Sequence, residues 1–67
     1  MKIFLNGKEK ILSSNISSLN EFIEIILRDE KGKIVELNGK VVKKGERDKI
    51  SLKDGDRIEL IQFMGGG

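Results

Sequence analysis

The sequence predicts an α+β fold in which a single helix packs on one face of a mixed sheet of four to five strands. Three observations carry this expectation. Two Asn-Gly pairs, Asn6-Gly7 and Asn38-Gly39, each interrupt a run of alternating residues, and this pair most favours a two-residue hairpin turn because both residues tolerate positive φ. One apolar stripe with helical spacing lies between the two hairpins. A last strand-like run, Arg57 to Phe63, follows the tight turn Asp54-Gly55-Asp56.

Taken in order, Asn6-Gly7 joins a first strand, Lys2 to Asn6, to a second, Lys8 to Leu12. The polar stretch from Ser13 to Ser17 ends in a helix-start signal, because Ser18 followed three residues later by Glu21 forms a capping box. Leu19, Phe22, Ile23, Ile26 and Leu27 then fall at i, i+3, i+4, i+7 and i+8, the stripe of a helix packed on a flat surface. Glu21 and Glu24 early, with Arg28 and Lys31 late, suit the helix dipole; Glu24 and Arg28 form an i, i+4 pair, and Gly32 supplies the stop. The second hairpin joins Ile34 to Leu37 with Lys40 to Lys43, and the polar stretch Lys44 to Lys49 reads as a turn or short helical excursion.

The order strand, strand, helix, strand, strand, strand, with a right-handed crossover after the first hairpin, makes the first and last strands parallel neighbours at the sheet centre. That is the β-grasp arrangement of ubiquitin-like proteins, expected here over residues 1–63, with residues 64–67 as a flexible glycine tail. Alternation sorts the faces. Ile3, Leu5, Ile58 and Leu60 face the helix, and Val35, Leu37, Val42, Leu52 and Ile11 complete the expected core; Phe4, Glu59, Ile61 and Phe63 point to the uncovered side.

Composition narrows the chemistry. Among 67 residues there is no Cys, His, Trp, Tyr, Pro, Ala or Thr, so disulfides, thiol nucleophiles, imidazole bases and the usual zinc sites are excluded, and no metal site is expected. The net charge of +2 comes from 13 basic and 11 acidic residues interleaved along the chain. The densest basic stretch, Lys40, Lys43, Lys44 and Arg47, contains Glu46 and Asp48 and no aromatic residue to stack a base; it reads as a solvated face, and nucleic acid is not an expected partner. The longest apolar runs, Ile25 to Leu27 and Ile3 to Leu5, are far short of the roughly 20 residues of a membrane helix. With no secretory signal, a soluble cytoplasmic protein without a membrane partner is expected.

Two features point to function. Phe4, Ile61 and Phe63, expected side by side on the uncovered face, make an apolar patch of the kind that docks partners. The terminal Gly65-Gly66-Gly67 contributes nothing to packing, yet it is thin enough to thread a narrow channel and deliver the α-carboxylate of Gly67. That carboxylate is ionised at neutral pH and is a poor electrophile, so chemistry there requires activation, most simply as a mixed anhydride with a nucleotide.

The whole chain resembles the ThiS family of small sulfur carriers of thiamine thiazole synthesis. The resemblance rests on Met1-Lys2-Ile3-Phe4-Leu5-Asn6-Gly7, on Val35-Glu36-Leu37-Asn38-Gly39, and on Lys53-Asp54-Gly55-Asp56-Arg57-Ile58-Glu59 followed by Ile61-Gln62 and the terminal glycines. The segment Lys43 to Lys49 departs from the family pattern, having neither a Pro nor an aromatic residue. The resemblance implies a protein co-substrate rather than an enzyme. A ThiF-like adenylating partner would use ATP and magnesium to convert the Gly67 carboxylate to an acyl-adenylate. A persulfide sulfur donor protein would turn it into a thiocarboxylate, and a ThiG-like thiazole synthase would consume that. A MoaD-like small subunit of molybdopterin synthase, a ubiquitin-like protein modifier and a plain interaction domain are the alternative readings.

Overall fold

The computed structural model describes residues 1–27 and 33–62, and of Ile26, Leu27 and Gln62 it describes the backbone alone. Strands β1 (Lys2–Leu5), β2 (Lys8–Ile11), β3 (Lys33–Leu37), β4 (Lys40–Val41) and β5 (Arg57–Gln62) form one sheet in the order β2-β1-β5-β3-β4. β1 and β5 are parallel, and β5 is central; the other pairs are antiparallel. This is the β-grasp arrangement. Both hairpins turn as the Asn-Gly pairs dictate, with φ of 50° and 82° at Asn6 and Gly7 and of 52° and 86° at Asn38 and Gly39.

The helix α1 (Leu19–Phe22) starts at the capping box. Ser18 Oγ accepts from the Glu21 N–H at 3.1 Å, and Glu21 Oε1 accepts in return from the Ser18 N–H at 3.0 Å and the Ser17 N–H at 3.1 Å. These donors would otherwise be orphaned at the helix start. They also draw the Glu21 carboxyl below its ordinary pKa, the Ser17 N–H most strongly, then the Ser18 N–H and the Ser17 hydroxyl. From Ile23 to Leu27 the coil widens into a π-helical turn instead of continuing as the regular helix the spacing predicts. Three of those five residues are β-branched Ile, the type that crowds the preceding turn of an α-helix. Arg28, Lys31, the Glu24–Arg28 pair and the Gly32 stop lie outside the described residues.

The core gathers under this helix. Ile3, Leu19, Phe22, Ile23, Ile58 and Val35 are almost completely buried, Leu12, Ile16, Val42 and Leu52 nearly so, and Leu5, Leu37, Ile50 and Leu60 pack partly buried against them. Ile11 departs from expectation, at 72% exposure. It pairs with Lys2, which faces outward, so Ile11 lies on the uncovered side and the next residue, Leu12, turns inward, its N–H bonded to the Met1 carbonyl at 2.8 Å. Ile16, set in a polar stretch with no period, joins the core unannounced.

Lys44–Lys49 forms a 3-10 helix. Within it Arg47, expected on a solvated face, is buried at 5% exposure. The following segment is pinned to the helix start by Leu19 N–H to Ile50 O and Leu52 N–H to Ser17 O, at 2.9 and 2.8 Å. That anchoring turns one side of the short helix toward the protein.

Candidate functional site

β5 carries the candidate site, because it is the central strand and the glycine tail follows it in sequence. Its start is fixed by Asp56, whose carboxylate accepts from the Lys53 N–H at 2.8 Å and the Asn38 side-chain amide at 3.0 Å, and by Gly55, whose N–H donates to the Lys2 carbonyl at 2.6 Å. The two hairpin asparagines then clasp the strand from opposite sides. Asn38 Oδ1 accepts from the Arg57 N–H on the β3 side, and Asn6 Oδ1 accepts from the Leu60 N–H on the β1 side, each at 2.9 Å. Asn6 thereby supplies an acceptor to β5 just beyond the end of β1. The asparagines expected as turn formers therefore also hold the central strand.

With one face of the sheet covered by the helix, the other presents alternate residues of each strand. Phe4 is half-buried there, opposite Arg57 on β5 and Glu9 on β2. Ile61 is exposed at 42%, opposite Ile34 on β3. Phe4 and Ile61, expected side by side with Phe63, both lie on this face but not in adjacent register. Parallel pairing sets Phe4 beside Arg57, so Arg57 and Glu59 separate it from Ile61 along β5. Alternation and strand order do not fix the register between β1 and β5, and register decides which outward residues touch. Phe4 instead helps line a groove of about 620 Å³ between the two hairpin turns, with Gly7, Gly39, Arg57 and Glu59 among its other walls. Phe63, Gly65, Gly66 and Gly67 lie outside the described residues.

Charge on this face is unevenly matched. Lys2 and Glu9 approach to 3.8 Å at one end, whereas Glu36 and Glu59 stand directly opposite each other near the middle. No group of three or more His, Cys, Asp or Glu able to hold a metal ion occurs among the described residues, and no helix among them is long and apolar enough to cross a membrane.

The sequence model of the ThiS family matches residues 3–67. The chain belongs to the ThiS family. Among curated relatives, the sulfur carrier protein ThiS of Bacillus subtilis is 30% identical over 63 residues, covering 94% of this chain and 96% of that one. A thiazole synthase of Paramagnetospirillum magneticum is 31% identical over 71 residues; the whole of this chain matches, but it spans only 20% of that protein's length. Among solved structures, the crystal structure of the thiamine biosynthesis protein ThiS from Geobacter metallireducens has a TM-score of 0.85 at 33% identity, with both chains fully covered. The solution structure of a thiamine biosynthesis protein from the same organism has a TM-score of 0.73 at 33% identity, covering all of this chain and 88% of that one. The ThiS family match thus takes in the five-stranded sheet, the clasped β5 and the glycine tail together.

Proposed function

We propose that this chain is a sulfur carrier for thiamine biosynthesis that acts through the carboxylate of Gly67, as a co-substrate of partner enzymes. The family match over residues 3–67, which includes β5 and the tail, is the observation that carries this reading. The chain brings no nucleophile of its own that is stronger than a hydroxyl or amine, since it contains no Cys and no His. Catalysis therefore falls to the partners, and the carrier supplies a docking face and a thin, reachable terminus.

In this mechanism a carboxylate oxygen of Gly67 attacks the α-phosphorus of ATP on a ThiF-like enzyme, with magnesium offsetting the phosphate charge, and pyrophosphate leaves. A persulfide sulfur of a donor protein attacks the activated carbonyl carbon, AMP departs with the electron pair, and a thiol reductively cleaves the remaining S–S bond to leave the thiocarboxylate. A ThiG-like thiazole synthase then takes the sulfur. The similarity between this chain and one fifth of a thiazole synthase supports that last partner, because linking carrier and consumer raises their effective concentration. Five residues follow Gln62, and covalent geometry limits their reach to about 18 Å. The partner must therefore dock close to the end of β5. The uncovered face, with Phe4, Ile61 and Phe63 as its expected apolar contacts, is the docking surface in this reading, and Gly65 to Gly67 enter the active site. The protein works in the cytoplasm, where ATP and persulfide donors are available.

Deleting Gly67 tests this directly. The carboxylate withdraws by about 3.5 Å, and a misplacement of about 1 Å already costs on the order of 100-fold. ATP–pyrophosphate exchange by the adenylating enzyme should fall at least that far, while the melting transition stays in place. Unchanged exchange would leave the plain interaction domain as the better reading.

A further inference from the structure

The uncovered face contains an arrangement that folding alone does not favour. Glu36 on β3 and Glu59 on β5 are direct cross-strand partners, so their Cβ atoms stand roughly 4.5–5.5 Å apart, and like charges so placed destabilise a sheet. No cation among the described residues lies within ion-pair distance of either carboxylate; the pair between Lys2 and Glu9 is at the far end of the face. Arg57 precedes Glu59 by one pleat on the same face and forms no ion pair with it. Apolar residues surround the two acids. Val41 is the β4 partner of Glu36, and the Ile34–Ile61 pair lies one pleat beyond, with Val41 and Ile61 well exposed.

We propose that the Glu36–Glu59 pair is the element by which this face selects its protein partner, which seats one arginine or lysine between the two carboxylates and packs apolar side chains on Ile34, Ile61 and Val41. The inference rests on the carrier reading, which makes the adenylating enzyme the occupant. Charge complementarity supports a cationic partner surface: a cation between the acids replaces repulsion with two attractive contacts, and the apolar rim accommodates the stem of a long basic side chain. Position supports the enzyme, because these residues lie on or beside β5, within the short reach of the tail. A second copy of this chain fits poorly, since self-docking would bring four carboxylates together.

The experiment compares wild type with Glu36→Gln, Glu59→Gln and Glu46→Gln, the last removing the same charge from an exposed position of the 3-10 helix. Binding to the adenylating enzyme of the same organism is measured by titration calorimetry at about 20 and 300 mM salt, together with ATP–pyrophosphate exchange at saturating carrier. Glu36→Gln and Glu59→Gln should each melt about 1–5 °C higher than wild type. They should bind roughly 3- to 10-fold more weakly at low salt, with the gap closing at high salt as screening takes over. Their exchange rate at saturation should match wild type, because the tail is intact, and Glu46→Gln should bind as wild type does. If wild type binds and exchanges but the two Gln variants bind equally well, or if Glu46→Gln weakens binding as much, the inference fails and the carrier reading stands. If wild type itself supports no exchange, both fall together. Self-association of wild type by sedimentation, strengthened by the Gln substitutions, would make the face a dimer surface and overturn the inference.

Discussion

The two faces of the sheet are built from alternate residues of the same five strands, yet they differ in what holds them. On the covered face, Ile3, Val35 and Ile58 meet Leu19, Phe22 and Ile23 with almost no exposure. On the uncovered face, Ile11, Val41 and Ile61 stand in solvent among Lys2, Glu9, Arg57, Glu36 and Glu59. Apolar burial is therefore concentrated on one side, and since it is the dominant favourable term in folding, stability resides there. The other side is free to carry charges and apolar groups that folding does not require there. In a 67-residue chain that division is tight, because one face must supply nearly all the stabilisation.

The largest expected effect breaks the covered face. Phe22 is fully buried in the middle of the layer, and Phe22→Ala should cost about 3–5 kcal/mol through lost burial plus a cavity. That approaches the whole stability of a domain this size. A denaturant melt showing less than about 1 kcal/mol lost would mean that stability is shared more evenly between the faces than their burial indicates.

A second substitution sharpens the contrast from the other side. Ile61 lies on the same strand as the buried Ile58 but points to solvent. Ile61→Asp should leave the melt within about 0.5 kcal/mol of wild type, as surface changes usually do. It should weaken binding to the adenylating enzyme by about 1.5–3 kcal/mol, the worth of one buried aliphatic side chain and thus roughly 10- to 150-fold. An Ile61→Asp protein that unfolds would place this residue in the core; one that folds and binds normally would remove it from the docking surface.

The legible and illegible parts of the chain follow the range of the interactions involved. Local chemistry was readable: the capping box at Ser18 and Glu21, both Asn-Gly turns and the Asp54-Gly55-Asp56 turn depend on residues a few positions apart. The parallel β1–β5 pairing also followed, because crossover handedness leaves one arrangement. Register between strands that no tight turn joins was not readable, so Phe4 was parted from Ile61 because it pairs with Arg57. The Glu36–Glu59 confrontation was hidden for the same reason, although each residue's face was deducible. Ile11 is a different miss: the two-residue Asn6-Gly7 turn already sets it opposite the outward Lys2, and the expected core did not follow that register. Asn6 and Asn38 gave away their turns but not the bonds they make to β5, because a side chain's reach across 54 and 19 residues leaves no local signature. Arg47 and Ile16 show the converse, polar surroundings in sequence concealing burial that only tertiary packing produces.

The smallest effect concerns the start of the covering helix and is read through pH. Glu21 accepts from Ser17 and Ser18, so its folded pKa lies below the value of about 4.3 expected in the unfolded chain. A carboxyl with a depressed folded pKa contributes stability in full above the unfolded pKa and loses it as pH falls through the folded one. Glu21→Gln keeps an acceptor oxygen but removes the charge. The variant should melt slightly below wild type at pH 7, with the two curves converging as pH drops below about 4. Acid loss from other carboxylates occurs in both proteins and cancels in the difference. Sheet-face acids remain unchanged in this pair of proteins, so the difference isolates the helix start. A gap that persists undiminished at pH 3 would mean that the Glu21 charge is not what the capping bonds depend on, and that the helix start is held instead by the backbone bonds to Ile50 and Leu52.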